Sequence, residues 1–206
     1  VIGDWVLTMV LASSANVPVL GEFRTLTRST LAVRIEDGPE GLVQTQRLCS
    51  STINDGKGMV RTILPPSFIA AVPVARFPIT VAEVDGVRTY AADFGRQAIG
   101  WTGVGAFPTT ADDPRIVDSD GDGHPGATVF VEAPIVGHGQ VYVIQTGRTT
   151  VRGTWDGVAF VGTVDVPELA QLVVGASSRM LAHGPALVAD PKRSSFRMER
   201  GRAGCG

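Results

Sequence analysis

The chain has almost no lysine: of its 18 basic residues, only Lys57 and Lys192 are not arginine. Basic and acidic residues nearly cancel, 18 against 20, so no field gathers phosphate backbones by counterion release and nucleic acid is not an expected partner. No apolar run approaches the ~18–20 residues of a bilayer-crossing helix, and a transmembrane helix is not expected. The longest runs, Trp5 to Ala12 and Phe68 to Ala75, are far too short. The opening VIGDWVLTMVLASSA lacks the basic stretch that begins a signal peptide and carries Asp4 and Trp5, so it reads as a first strand. The two cysteines, Cys49 and Cys205, form no CxxC pair, and two distant thiols make no zinc site unaided. The three histidines, His124, His138 and His183, sit in Gly/Pro-rich settings and in no metal-ligand spacing. HExxH and GxxxxGK[ST] are missing, and Gly175-Ala176-Ser177-Ser178 falls short of GxSxG. A non-catalytic protein is therefore the expectation, with a hydrolase the least favoured reading.

What is present is punctuation and apolar bulk. Residues of the AVILMFWYC set make up 44% and charged residues only 18%, enough for a real core and too little charge for a disordered chain. Glycine (25) and proline (13) are spread evenly, which cuts the chain into many short elements and points to an all-β domain spanning 1–206. Alternating residues 79–84, Asp85-Gly86 and 87–90 form a hairpin, because Asp-Gly supplies the positive φ angles of a type I′ turn. Residues 149–155, Asp156-Gly157 and 158–166 repeat the pattern, and 31–36 with 42–48 flank a turn at 37–41. Further strands are expected at 4–12, 21–28, 58–64, 127–133, 140–146 and 194–200. One or two short helices fit the remainder. Residues 65–72 suit one turn plugging an end of the sheet. Asp165-Val166-Pro167-Glu168 opens a capping box ahead of Leu169, Leu172, Val173 and Ala176, while the same stretch reads equally as a strand, LVVGAS. Residues 102–126 are the longest stretch without alternation, a length at which loops are often functional.

That loop carries Asp118-Ser119-Asp120-Gly121-Asp122-Gly123: three carboxylates at alternate positions, with glycine permitting the tight turn. Positions 1, 3 and 5 of such a loop curl their carboxylates around one point, and the position 7 carbonyl, here that of His124, adds a fourth oxygen for a hard cation such as Ca²⁺. The loop resembles the DxDxDG loops of dockerins, thrombospondin type 3 repeats and FG-GAP blades over about nine residues. The twelfth position, where an EF-hand supplies a bidentate Glu, is Val129, and the ninth is Gly126. Asp112, Asp113, Glu132 or water are the candidates to complete the shell. A strand follows the loop, so a helix-loop-helix EF-hand is not expected, and a bound ion would act as a structural clamp.

Gly3-Asp4-Trp5 on the first strand resembles the Gly-x-Trp signature of lipocalins and the wider calycin group. The resemblance implies a closed antiparallel barrel in which the Trp closes one end and an Arg from a late strand packs across its ring, a place open to Arg148, Arg152 or Arg197. Gly153-Thr154-Trp155 matches the signature too. A β-sandwich is the alternative architecture. A hollow barrel would carry a small apolar ligand; a filled one would not. The chain begins with Val, which fits a processed exported protein or a fragment, and a Cys49–Cys205 bridge in an oxidising compartment would tether the C-terminal tail. The expectation is a periplasmic or extracellular calycin-like module with one Ca²⁺ loop and one disulfide. Such a module would serve as a binding or structural part of a surface or multi-protein assembly, and a lipocalin-like carrier is the alternative.

Overall fold

The computed structural model describes residues 1–17, 21–55, 60–133, 137–182, 184 and 187–205. His183 lies outside them. The alternating segments become strands, but fewer and longer ones than the sequence suggests. These are β1 (Gly3–Val17), β2 (Gly21–Gly38), β3 (Gly41–Asp55), β4 (Arg61–Ile63), β5 (Ala75–Val84), β6 (Val87–Ile99), β7 (Ala127–Ala133), β8 (Gly137–Trp155), β9 (Ala159–Ala176), β10 (Leu187–Ala189) and β11 (Ser195–Arg200). Segments 21–28 and 31–36 merge into β2, and 140–146 with 149–155 into β8. The capping box at Asp165 is overridden: β9 runs straight through it on hydrogen bonds to β8, with an irregularity where Pro167 cannot donate.

In chain order β1, β2, β3, β5, β6, β8, β9 and β11 each pair antiparallel with the next, and β11 pairs back onto β1. The sheet is thus an eight-stranded ring with no free edge along this path. Three positions in the ring are filled by two shorter strands laid end to end. β5 and β4 share one edge of β3, β6 and β7 share one edge of β8, and β11 and β10 share one edge of β1. β4 and β7 pair with each other, which carries closure up the taller part of the ring.

Alternation decides what fills it. Trp5, Leu7 and Met9 on β1, Leu31, Val33 and Ile35 on β2, Tyr90, Ala92 and Phe94 on β6, Val151 on β8, Phe160 and Val164 on β9, and Phe196 and Met198 on β11 form one buried cluster. A polar chain is buried with them: the Tyr90 hydroxyl donates to Gln44 Oε1 at 2.6 Å, and Gln44 Nε2 donates to Gln46 Oε1 at 3.0 Å. Burial raises the Tyr90 hydroxyl well above its ordinary pKa, so it remains a donor. Higher in the ring, Val141 and Val143 share the inward face of Val151. The helix α1 (Pro66–Ala71) sets Phe68 against them and against Val129, forming a second cluster. The turn expected at 65–72 is this helix, and it does plug the interior.

Candidate metal centre

Between the collinear strands β6 and β7 the chain leaves the wall at Gly100 and returns at Gly126. The two ends nearly touch: a Cβ built on Gly100 would lie 2.9 Å from the Gly126 Cα and 2.6 Å from the Val143 carbonyl oxygen, and both glycines have positive φ. Only glycine fits that crossing. The loop lies on the outer wall of β8, which explains why Tyr142 and Ile144, on the outward face, are buried. His124 stacks on Tyr142 with ring centroids 4.2 Å apart, and Trp101 Nε1 donates to the Gln145 carbonyl at 3.1 Å.

The first half of the loop is organised by one arginine. Arg115 donates to Asp113 Oδ1 and Oδ2 at 2.9 and 2.6 Å and to the Val104 and Ala106 carbonyls, and it lies 5.9 Å from the Trp101 ring. The Arg115 side chain, and then its backbone N–H, hold the Asp113 carboxyl at about 2. An unfolded Asp titrates near 4. A pKa depressed in the folded chain contributes stability above pH ~4 that is lost as pH falls through about 2. The tryptophan emission maximum is therefore expected to move to the red between pH 4 and 2, as Trp101 loses its cover. Asp113→Asn should show the red emission already at pH 7; a variant with wild-type emission there would remove Arg115–Asp113 as the organiser.

The second half holds the three aspartates. Asp118, Asp120 and Asp122 each offer a carboxylate oxygen, and these oxygens lie within 4.8 Å of one another. Ligands on opposite sides of one Ca²⁺, each at 2.3–2.6 Å, stand about 5 Å apart, so the spacing suits a single ion. Asp118 Oδ1 accepts from Gly121 N (2.8 Å) and Oδ2 from Gly123 N (2.9 Å). Asp122 accepts from His124 N and from Thr128 Oγ1, and Asp120 Oδ2 accepts from Thr128 N at 2.9 Å. These bonds tie the acids to the first residues of β7. The Gly123 N–H, joined by Gly121, Asp122 and the Asp120 carboxyl and opposed by desolvation, keeps the Asp118 carboxyl below its usual range. Asp120 Oδ1 is different: it is shut off from solvent and no N–H or O–H of a described residue reaches it. A buried carboxylate oxygen left bare is costly, and a cation is the partner that its position among three acids favours.

Not every sequence-derived candidate converges here. Among the described residues the cluster contains only the three aspartates. Asp113 is committed to Arg115, and Glu132 lies beside Arg61 (3.3 Å) and His138 (3.6 Å). At the Gly-x-Trp motif, none of Arg148, Arg152 or Arg197 covers Trp5; Arg200 does, with its guanidinium 4.6 Å from the ring centroid, donating to the Ile2 carbonyl. Arg148 pairs with Asp93 and Arg197 with Asp156 and Glu199. Register explains the choice, since Arg200 is the β11 residue directly opposite Trp5. Cys49 and Cys205 are joined, and Cys49 is the extra residue of a bulge, between the pairs Leu31–Leu48 and Thr30–Ser50. No helix among the described residues is long and apolar enough to cross a membrane. No family model, curated protein or solved structure matches the chain.

Proposed function

We propose that this protein is an exported, non-catalytic β-barrel module of calycin type, stabilised by one Ca²⁺ ion and serving as a binding or structural part of a surface or multi-protein assembly. The bare, buried Asp120 Oδ1 between two further carboxylates carries the metal reading. Asp118, Asp120 and Asp122 would hold the ion with the His124 carbonyl and water, and its charge would relieve the repulsion among the three acids. The calycin reading is supported by the meander of eight strands in chain order, by Gly3-Asp4-Trp5 on the first and by Arg200 of the last lying over the Trp5 ring. The Cys49–Cys205 bridge supports an oxidising compartment, periplasmic or extracellular. The carrier alternative loses ground, because Tyr90, Phe160, Met198 and the Phe68 plug occupy the space that an apolar guest would need.

Thermal melting decides the metal. A ligand that binds only the native state stabilises it by about 2.7 kcal/mol at a hundred times its Kd. The midpoint is expected to rise with Ca²⁺ over a chelator at fixed pH, and Asp120→Asn should abolish the difference while folding normally in chelator. Equal midpoints for the wild type in excess Ca²⁺ and in chelator would discard the ion.

A further inference from the structure

One end of the ring carries an open surface pocket that the metal reading does not use. Its volume is about 250 Å³, and Glu83, Gly86, Val87, Arg88 and Trp155 line it. The β5–β6 hairpin forms one wall, with Asp85 (φ 52°) and Gly86 (φ 75°) making its tight turn, and Trp155 at the end of β8 forms the other. Behind Trp155 stand Phe160, at 5.1 Å, and Trp5, edge-on at 6.2 Å, so the indole is braced from the interior.

The charges here are unusual. Glu83 and Arg88 are directly opposed across β5 and β6, the positions at which oppositely charged side chains normally pair. Both are exposed, and neither is hydrogen-bonded or ion-paired to a described residue, whereas Arg148 on β8 reaches diagonally across to Asp93 on β6 and is in contact with it. A carboxylate, a guanidinium and an aromatic wall thus converge on one small pocket with their valences unspent. An indole with a carboxylate beside it suits a quaternary ammonium, and a guanidinium suits a phosphate. The volume lies below the ~300–1,000 Å³ of drug-sized sites and calls for a single small headgroup.

We propose that this pocket binds a zwitterion of the phosphocholine class, with the trimethylammonium between Trp155 and Glu83 and the phosphate on Arg88. The rim favours a headgroup presented by a lipid surface. Val84, Val87 and Val158, on neighbouring hairpin tips, are 54%, 45% and 65% exposed, and such apolar tips around the mouth suit the boundary between headgroups and acyl chains.

The test uses the whole protein and three soluble probes, phosphocholine, choline and inorganic phosphate, followed by tryptophan fluorescence and by ligand-observed NMR. Phosphocholine should bind saturably. Choline should bind about tenfold more weakly and phosphate more weakly still, because each satisfies one of the two charges. Glu83→Gln and Arg88→Gln, both at exposed positions, should each weaken phosphocholine about tenfold, and Trp155→Phe should remove the fluorescence response while melting separately checks its fold. Vesicles of phosphatidylcholine and of phosphatidylglycerol separate the sources: retention on the former alone identifies the lipid headgroup, and binding of free phosphocholine without retention identifies the soluble compound. Absence of saturable phosphocholine binding, or binding unchanged in both Glu83→Gln and Arg88→Gln, overturns the proposal.

Discussion

Cys205→Ser is expected to melt roughly 10–20 °C below the wild type. The bridge joins residues 156 apart, and in the chain-entropy model a loop of that length withdraws about 4–5 kcal/mol of freedom from the unfolded chain. For a chain of this size each kcal/mol moves the midpoint by about 2–4 °C. Its placement makes the link more than a tail anchor. The C-terminal segment leaves β11, donates from Gly201 N to the Asp4 carbonyl and from Arg202 to the Asp4 carboxylate, and reaches the bulge on β3. The bond therefore covalently joins the last strand of the ring to its third. Cys49→Ser and the reduced wild type should match Cys205→Ser under differential scanning calorimetry. A drop below about 3 °C in all three would show that Asp4, Arg34 and Arg202 hold the tail without the bridge.

Phe160→Ala should lose about 3–5 kcal/mol in urea unfolding with an unchanged denaturant slope. Phe160 is fully buried, with Trp5, Tyr90 and Trp155 rings around it at 5.8, 5.5 and 5.1 Å. Truncation leaves a cavity whose walls are strands hydrogen-bonded on both sides, so they are poorly free to collapse, and the cost should fall toward the upper end. Val161→Ala, one residue away on the outward face and half-buried, should cost far less. The outcome bears on function as well as stability. A loss below about 1.5 kcal/mol at Phe160 would mean a loosely filled ring with room for a guest, which would restore the carrier reading.

The hairpins at Asp85-Gly86 and Asp156-Gly157 were legible because their information is local: two turn residues between alternating strands. So were the three aspartates, since six consecutive residues contain their spacing. The stretch after Asp165 was not, because its capping box and its β-branched residues disagree, and only the partner β8 breaks the tie. The arginine over Trp5 was missed for a similar reason. Arg148, Arg152 and Arg197 are as plausible by type, and choosing among them needs the register that sets Arg200 opposite Trp5. That Asp120 Oδ1, Glu83 and Arg88 have no partner among the described residues leaves no mark in the sequence at all, because a missing partner is a property of the surroundings.

The sequence by itself determined a mainly β chain, its turn positions, the acidic loop and a helical turn at 65–72, all of which follow from side-chain periodicity and backbone preference over a few residues. Tertiary structure alone decided that the strands close into a ring, that three of its positions are each built from two short strands, that Phe68 and Phe160 fill it, and that the loop docks on β8. The physical reason is range. Local preferences act between neighbours, whereas closure pairs Trp5 with Arg200 from opposite ends of the chain, and its free energy comes from burying surfaces that no short window contains.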